Sequence, residues 1–137
     1  MSAYSFSIKT DVGRNVMYIE QHGQPSAGDV LDLKEVFVVE VGKLRPGFSI
    51  VNDQRDMNLE PYDEDAMVAA KELIEITNRH GASRVIRILS ADFLSTVTLG
   101  SMLAEGRSQY ASIRVGTPEE AEEALEELAG NPIPDPE

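Results

Sequence analysis

Carboxylate side chains are concentrated after an apolar run at residues 48–51, which predicts a buried strand. These carboxylates, with one tyrosine among them, are Asp53, Glu60, Tyr62, Asp63, Glu64 and Asp65. Such a group can present fixed negative charge in place of a phosphoserine, or can bind a hard cation such as Mg²⁺ or Ca²⁺. Acids in the first turn of a helix also meet the positive end of its dipole. The dipole interpretation ranks first, a partner-binding surface second and a metal site last.

Asp53 and Arg55 are two residues apart at the predicted end of this strand. The Asp53 carboxylate can pair with the arginine or accept hydrogen bonds from backbone amides of the next loop. Structural pairing is favoured over catalysis, because no neighbouring residue in the sequence completes a mechanism.

The sequence lacks the usual signatures of catalysis. It has no cysteine, and its two histidines, His22 and His80, each stand alone beside a glycine. There is no Gly-x-Ser-x-Gly elbow and no glycine-rich phosphate loop. We therefore predict no catalytic residue, no metal and no cofactor. The candidate phosphorylation sites are the hydroxyl side chains of Ser95, Thr96, Thr98 and Ser101.

The net charge of -12, from 12 basic and 24 acidic residues among 137, disfavours a nucleic-acid-binding protein. No apolar segment approaches the roughly 20 residues that a membrane helix needs. No signal peptide is evident at the start of the sequence. We expect a cytoplasmic protein with one domain over residues 1–130. Residues 131–137 contain three prolines and two acids, and we expect them to be a disordered tail.

The apolar periodicity predicts five strands and four helices in alternation after an opening hairpin. The strands are expected at 4–9, 16–20, 48–51, 85–89 and 110–115. The helices are expected at 29–44, 65–80, 90–106 and from Pro118 to Gly130. Capping boxes are predicted at Ser26/Asp29 and at Thr117/Glu120. This order predicts an α/β domain with a mixed, mostly parallel sheet and an antiparallel edge.

The order of the elements, with the turn residues that separate them, resembles the STAS-domain family and its SpoIIAA-like relatives over residues 4–128. The resemblance rests on the strand 48–53 that ends in an acid, on the run Val85-Ile86-Arg87-Ile88-Leu89, and on the segment 113–121 with its Glu-Glu-Ala helix start. Bacterial antagonists of that family carry a phosphorylated serine in an Asp-Ser-Ser-Gly-type motif before the second helix. The matching segment here, 59–66, contains no serine or threonine.

The resemblance implies a non-catalytic protein-interaction module of a bacterial-type regulatory system, with a kinase or an anti-sigma-like protein as partner. It would not be switched by serine phosphorylation at the usual position. Homodimer formation stays open. The first alternative is a small-molecule or lipid carrier with a pocket between the sheet and helix 29–44. The second is a carboxylate-dependent hydrolase, for which no acid–base pair can be named.

Overall fold

A computed structural model of the protein describes residues 4–57, 64–90 and 110–130. Within these residues it contains five strands and three helices. The strands are β1 (Ser5–Asp11), β2 (Val16–Gly23), β3 (Ser49–Met57), β4 (Arg84–Ile88) and β5 (Ala111–Val115). The helices are α1 (Ala27–Val41), α2 (Glu64–Arg79) and α3 (Pro118–Gly130).

The strands form one sheet in the order β1-β2-β3-β4-β5. β1 pairs antiparallel with β2 through the opening hairpin, and the other neighbouring pairs are parallel. The predicted mixed sheet with an antiparallel edge is therefore confirmed. In the parallel part, the carboxyl ends of β2, β3 and β4 meet at one edge, which we call the carboxyl edge, and their amino ends meet at the opposite amino edge.

Helices cover both faces of the sheet. On the first face, Phe37 and Val41 of α1 and Ile76 of α2 pack with Met17 and Ile50. On the second face, α3 packs over β3, β4 and β5. There, the buried side chains of one cluster are Val16, Val51, Ile86, Ile88, Val115, Ala121 and Leu125. Because side chains alternate along a strand, the central strands contribute to both layers.

The predicted caps are present. Ser26 and Asp29 form a full capping box at α1, and Glu120 N–H bonds the Thr117 hydroxyl at 3.1 Å before α3. Gly81 follows α2 with a φ of +79°, in the left-handed region where glycine has no Cβ penalty. The β-branched run 36–39 is helical, as the apolar periodicity predicted. None of the helices in the described ranges is long and apolar enough to cross a membrane.

The expected end of the third strand at Asn52-Asp53 was wrong, because β3 continues to Met57. The extension pairs with β2, which itself runs to Gly23 after a register shift between Glu20 and His22. Its polar side chains are satisfied, since Asn52 accepts a hydrogen bond from Gln21 at 2.8 Å. The expected helix 90–106, the loop 58–63 and the tail 131–137 lie outside the described residues.

Candidate functional site

Asp53 lies on the α3 face of β3, and its carboxylate is clamped by Arg55. Arg55 Nε and Nη2 donate to the two carboxylate oxygens at 3.0 and 2.7 Å, and the Arg55 backbone N–H donates at 3.2 Å. Burial pushes the pKa of Asp53 upward, but the hydrogen bonds and charge of Arg55 outweigh it, so the pKa lies below its ordinary value. The predicted structural pairing of these two residues is confirmed.

His22 joins two further carboxylates at the same edge. Its Nδ1 lies 3.1 Å from Asp56 Oδ2, and its Nε2 lies 3.1 Å from Glu20 Oε1. After the register shift in the β2–β3 pairing, His22 lies opposite Asp56, so their contact joins the end of β2 to β3. In its charged form the imidazole donates to both acids.

A third network crosses from β2 to α3. The Arg14 guanidinium donates to the Tyr18 hydroxyl at 2.6 Å and to Glu122 at 3.0 Å, while the Tyr18 hydroxyl donates to Glu122 at 2.8 Å. Burial raises the pKa of Tyr18, and its hydrogen bond to Glu122 raises it further. The hydrogen bond to Glu122 likewise raises the pKa of Arg14. Tyr18 therefore stays protonated and works as a donor.

These networks border a groove of about 220 Å³ between α3 and the β1–β2 hairpin. Its lining residues are Ser7, Lys9, Tyr18, Ile19, Glu20, Val51, Asp53, Ile88, Pro118 and Glu122. The groove is on the face opposite α1. The layer between the sheet and α1, where a carrier pocket was expected, is filled in the described residues by Phe37, Val41 and the strand side chains packed on them.

The sequence-predicted surface is only partly described. Asp53 has its place in the groove, and Asp65 is exposed in the first turn of α2. Glu64 is the first residue of α2, and its side chain lies outside the description. Outside the described residues altogether are Glu60, Tyr62, Asp63, Ser95, Thr96, Thr98 and Ser101.

Sequence reasoning missed the contacts of His22 and Glu122 near Asp53. Glu20 and His22 share a strand face with Tyr18, which alternation alone would give once β2 was extended past Glu20. Their proximity to Asp56 and Glu122 depends on the strand order, for which the sequence carries no local signal. Within the described ranges, no group of three or more histidine, aspartate or glutamate side chains is arranged to hold a metal ion.

Several carboxylates around the groove are held by neighbouring side chains. At the carboxyl edge Asp53 is held by Arg55, and His22 lies 3.1 Å from both Glu20 and Asp56, while Glu122 is held by Arg14 nearer the amino edge. A general base must be free to accept a proton from a substrate at hydrogen-bond distance. Asp53 and Glu122 already accept hydrogen bonds from arginine side chains, so neither of these two carboxylates is free in this way.

No protein-family model and no curated protein matches the sequence. Among solved structures, the chain is similar to an uncharacterized protein of the DUF3478 family with a SpoIIAA-like fold from Shewanella loihica, with a TM-score of 0.66 and 11% identity over 91% of this chain and 95% of that one. It is also similar to an antisigma-factor antagonist STAS domain from Rhodobacter sphaeroides, with a TM-score of 0.47 and 18% identity over 70% of this chain and 96% of that one. At these levels of sequence identity, similarity to a solved structure shows the fold alone. The resemblance predicted from the sequence is thus confirmed at the level of the fold, which is SpoIIAA-like.

Proposed function

We propose that this chain is a non-catalytic protein-interaction module of a regulatory system, with its contact surface at the carboxyl edge. The surface comprises Asp53, Glu60, Tyr62, Asp63, Glu64 and Asp65, together with the segment 90–106. The observation that carries the proposal is the Asp53–Arg55 pair, because a carboxylate held by an arginine is suited to recognition rather than to proton transfer. The SpoIIAA-like fold supports the same assignment.

In this role the acids stand where relatives of the fold carry a phosphoserine. A carboxylate supplies permanent negative charge and acceptor oxygens, although less charge than a phosphate. The surface would therefore be constitutively competent to bind, and a kinase would not switch it at this position. Phosphorylation at Ser95, Thr96, Thr98 or Ser101 would be the remaining route to control by charge.

Charge reversal at the start of α2 tests this surface. The tagged protein and its Asp63→Lys/Glu64→Lys variant would each be used to capture proteins from native lysate, with quantitative mass spectrometry of what is retained. The control is Asp32→Lys/Glu35→Lys, which makes the same charge change on exposed positions of α1. We expect a stoichiometric regulatory protein with the wild type and the control, and its loss with the α2 variant. Retention of that protein by all three would contradict the surface.

The groove between α3 and the hairpin favours a second function, that of a small-molecule carrier. Its lining includes the apolar side chains of Val51, Ile88 and Pro118 and the polar side chains of Ser7 and Lys9. A volume of about 220 Å³ is below the roughly 300–1,000 Å³ usual for ligand pockets, which favours a small metabolite over a lipid chain. Native mass spectra of the freshly purified protein would show a constant added mass if the chain is a carrier. Bare protein, together with a stoichiometric protein partner, would assign it to the interaction class.

A further inference from the structure

Arg84 is a cation buried at the amino edge of the sheet, and no described residue supplies a counter-charge. The residue is 9% exposed, and its Nε atom is buried with no hydrogen-bond partner. Within the described part of the chain, no carboxylate forms an ion pair with its guanidinium group. Burial alone lowers its pKa, with no neighbouring charge contributing. Other arginines of the sheet are different, since Arg14 and Arg55 each hold a carboxylate.

A buried charge without a partner is costly and rarely retained. A guanidinium group is planar and offers donors in a fork that matches the two oxygens of a carboxylate or a phosphate. Burial costs the Arg84 side chain its favourable interactions with water. An ion pair with a bound anion can replace those interactions, provided that the anion reaches the guanidinium. The exposed tenth of Arg84 is where such an anion would make contact.

The neighbours of Arg84 suit an oxyanion. In the register of the sheet it lies between Ser49 of β3 and Ala111 of β5. All three share the α3 face, because each is two residues before a member of that face, Val51, Ile86 or Ile113. Ser49 is 5% exposed and carries a hydroxyl group on the strand position next to Arg84, on the same face. Ala111 has only a methyl group, which leaves room on the other side.

Two further arginines lie at the amino edge, and one of them, Arg14, is paired with Glu122. Arg14 and Arg45 flank the hairpin turn at this end, where the Arg45 N–H bonds Asn15 Oδ1 at 2.8 Å and the Ser49 N–H bonds the Asn15 carbonyl at 3.1 Å. The carboxyl edge carries Glu20, Asp53 and Asp56 instead.

We propose that Arg84 and Ser49 form a binding site for a single oxyanion, a phosphate or carboxylate group of a small molecule, at the amino ends of β3 and β4. The site is on the α3 face, apart from the carboxyl-edge surface, and does not depend on the function proposed for that surface. The guanidinium supplies charge and two parallel N–H donors, and the Ser49 hydroxyl supplies a third donor.

Thermal unfolding in inorganic phosphate and, separately, in acetate tests the site, with sodium chloride at equal ionic strength as the reference. We expect the unfolding temperature to rise saturably, by about 5 °C at roughly ten times the dissociation constant. A rise with phosphate only identifies a phosphate ligand, and a rise with acetate only identifies a carboxylate. Arg84→Met should abolish the rise and Ser49→Ala should weaken it. Arg79→Met, which removes an exposed arginine from α2, should leave it intact.

The NMR signal of the Arg84 Nε–H group gives a readout that overall stability does not affect. Binding should move this signal in step with the backbone amides of Ser49 and Ala111. The proposal is overturned if neither anion moves that signal or the unfolding temperature beyond the chloride reference. It is equally overturned if Arg84→Met keeps the anion dependence. Should Arg84→Met fail to fold, the Ser49→Ala variant and the Nε–H titration of the wild type decide the matter.

Discussion

Asp53 accepts three hydrogen bonds from Arg55, two from the guanidinium group and one from the backbone. Its pKa in the folded protein is lowered from the ordinary value of 3.8, because these bonds outweigh the effect of burial. A carboxyl whose pKa is lower when folded binds its proton more readily in the unfolded chain. Its contribution to stability is therefore complete well above pH 3.8 and disappears as the pH falls through the lowered value of the folded state.

Replacing this carboxylate should remove that pH dependence. We expect Asp53→Asn to unfold at lower urea concentration than the wild type at pH 7, because Arg55 loses its charged acceptor. The difference should narrow as the pH falls below 4. Asp32→Asn, an exposed aspartate on α1, controls for the loss of a negative charge as such. A difference between Asp53→Asn and wild type that stays constant from pH 7 to pH 3 would refute the linkage.

Whether the sequence predicts one of these contacts depends on how many residues separate its two partners along the chain. Asp53 and Arg55 are only two residues apart in the sequence, so their pairing could be predicted from local proximity. His22 and Asp56 are 34 residues apart, and Arg14 and Glu122 are 108 apart. These pairs follow from strand order and from the face that α3 covers, neither of which is written in local residue patterns.

At the scale of the element, the helix starts were the most predictable features. Ser26 has extended backbone angles, its hydroxyl accepts from Asp29 N–H at 3.2 Å, and the Asp29 carboxylate accepts from Ser26 N–H at 2.9 Å. Such a box needs only four consecutive residues, so it can be recognised without tertiary information. The same holds for Thr117 and Glu120 at α3.

The α1 cap should contribute measurably to stability. Ser26→Ala removes the acceptor for Asp29 N–H, and we expect a loss of about 1 kcal/mol in the free energy of unfolding measured with urea. Ser26→Thr keeps a hydroxyl at the same place and should retain most of that free energy. Equal destabilisation by alanine and threonine would mean that the hydroxyl is not the cause.

Strand length was harder to predict than helix starts. Residues 52–57 are mostly polar, so the periodicity indicated a loop after Val51. In the structure β3 continues because Gln54 and Met57 turn inward and because Gln54 accepts a hydrogen bond from Arg87 at 2.8 Å. Polar side chains satisfied by neighbouring strands can occupy a strand as well as apolar ones, and only the three-dimensional pairing shows where they find partners.

At the scale of the whole molecule, the sheet joins two apolar layers through the same strands. Ile50 packs under α1 while the next residue, Val51, packs under α3, and Val85 and Ile86 repeat this arrangement in β4. Neither layer can lose its helix without exposing strands on which the other layer depends. We therefore expect the described domain to unfold as one cooperative unit, as small single domains usually do.

Introducing a charge under α3 tests this coupling. Ala121 is 1% exposed, and Ala121→Asp would bury a carboxylate against Ile86 and Ile88. We expect a loss of at least about 3 kcal/mol in the free energy of unfolding, from burying an unpaired charge. Glu123→Asp, at an exposed position of the same helix, should be close to neutral.

Hydrogen exchange shows how far the damage reaches. In Ala121→Asp the slowest amides of α1, on the opposite face of the sheet, should lose protection by the same free energy as those of β4. If α1 kept its wild-type protection while α3 exchanged freely, the two layers would be separate folding units. The alternation of side chains in β3 and β4 argues for the first result, because every strand residue that leaves one layer moves its neighbour out of the other.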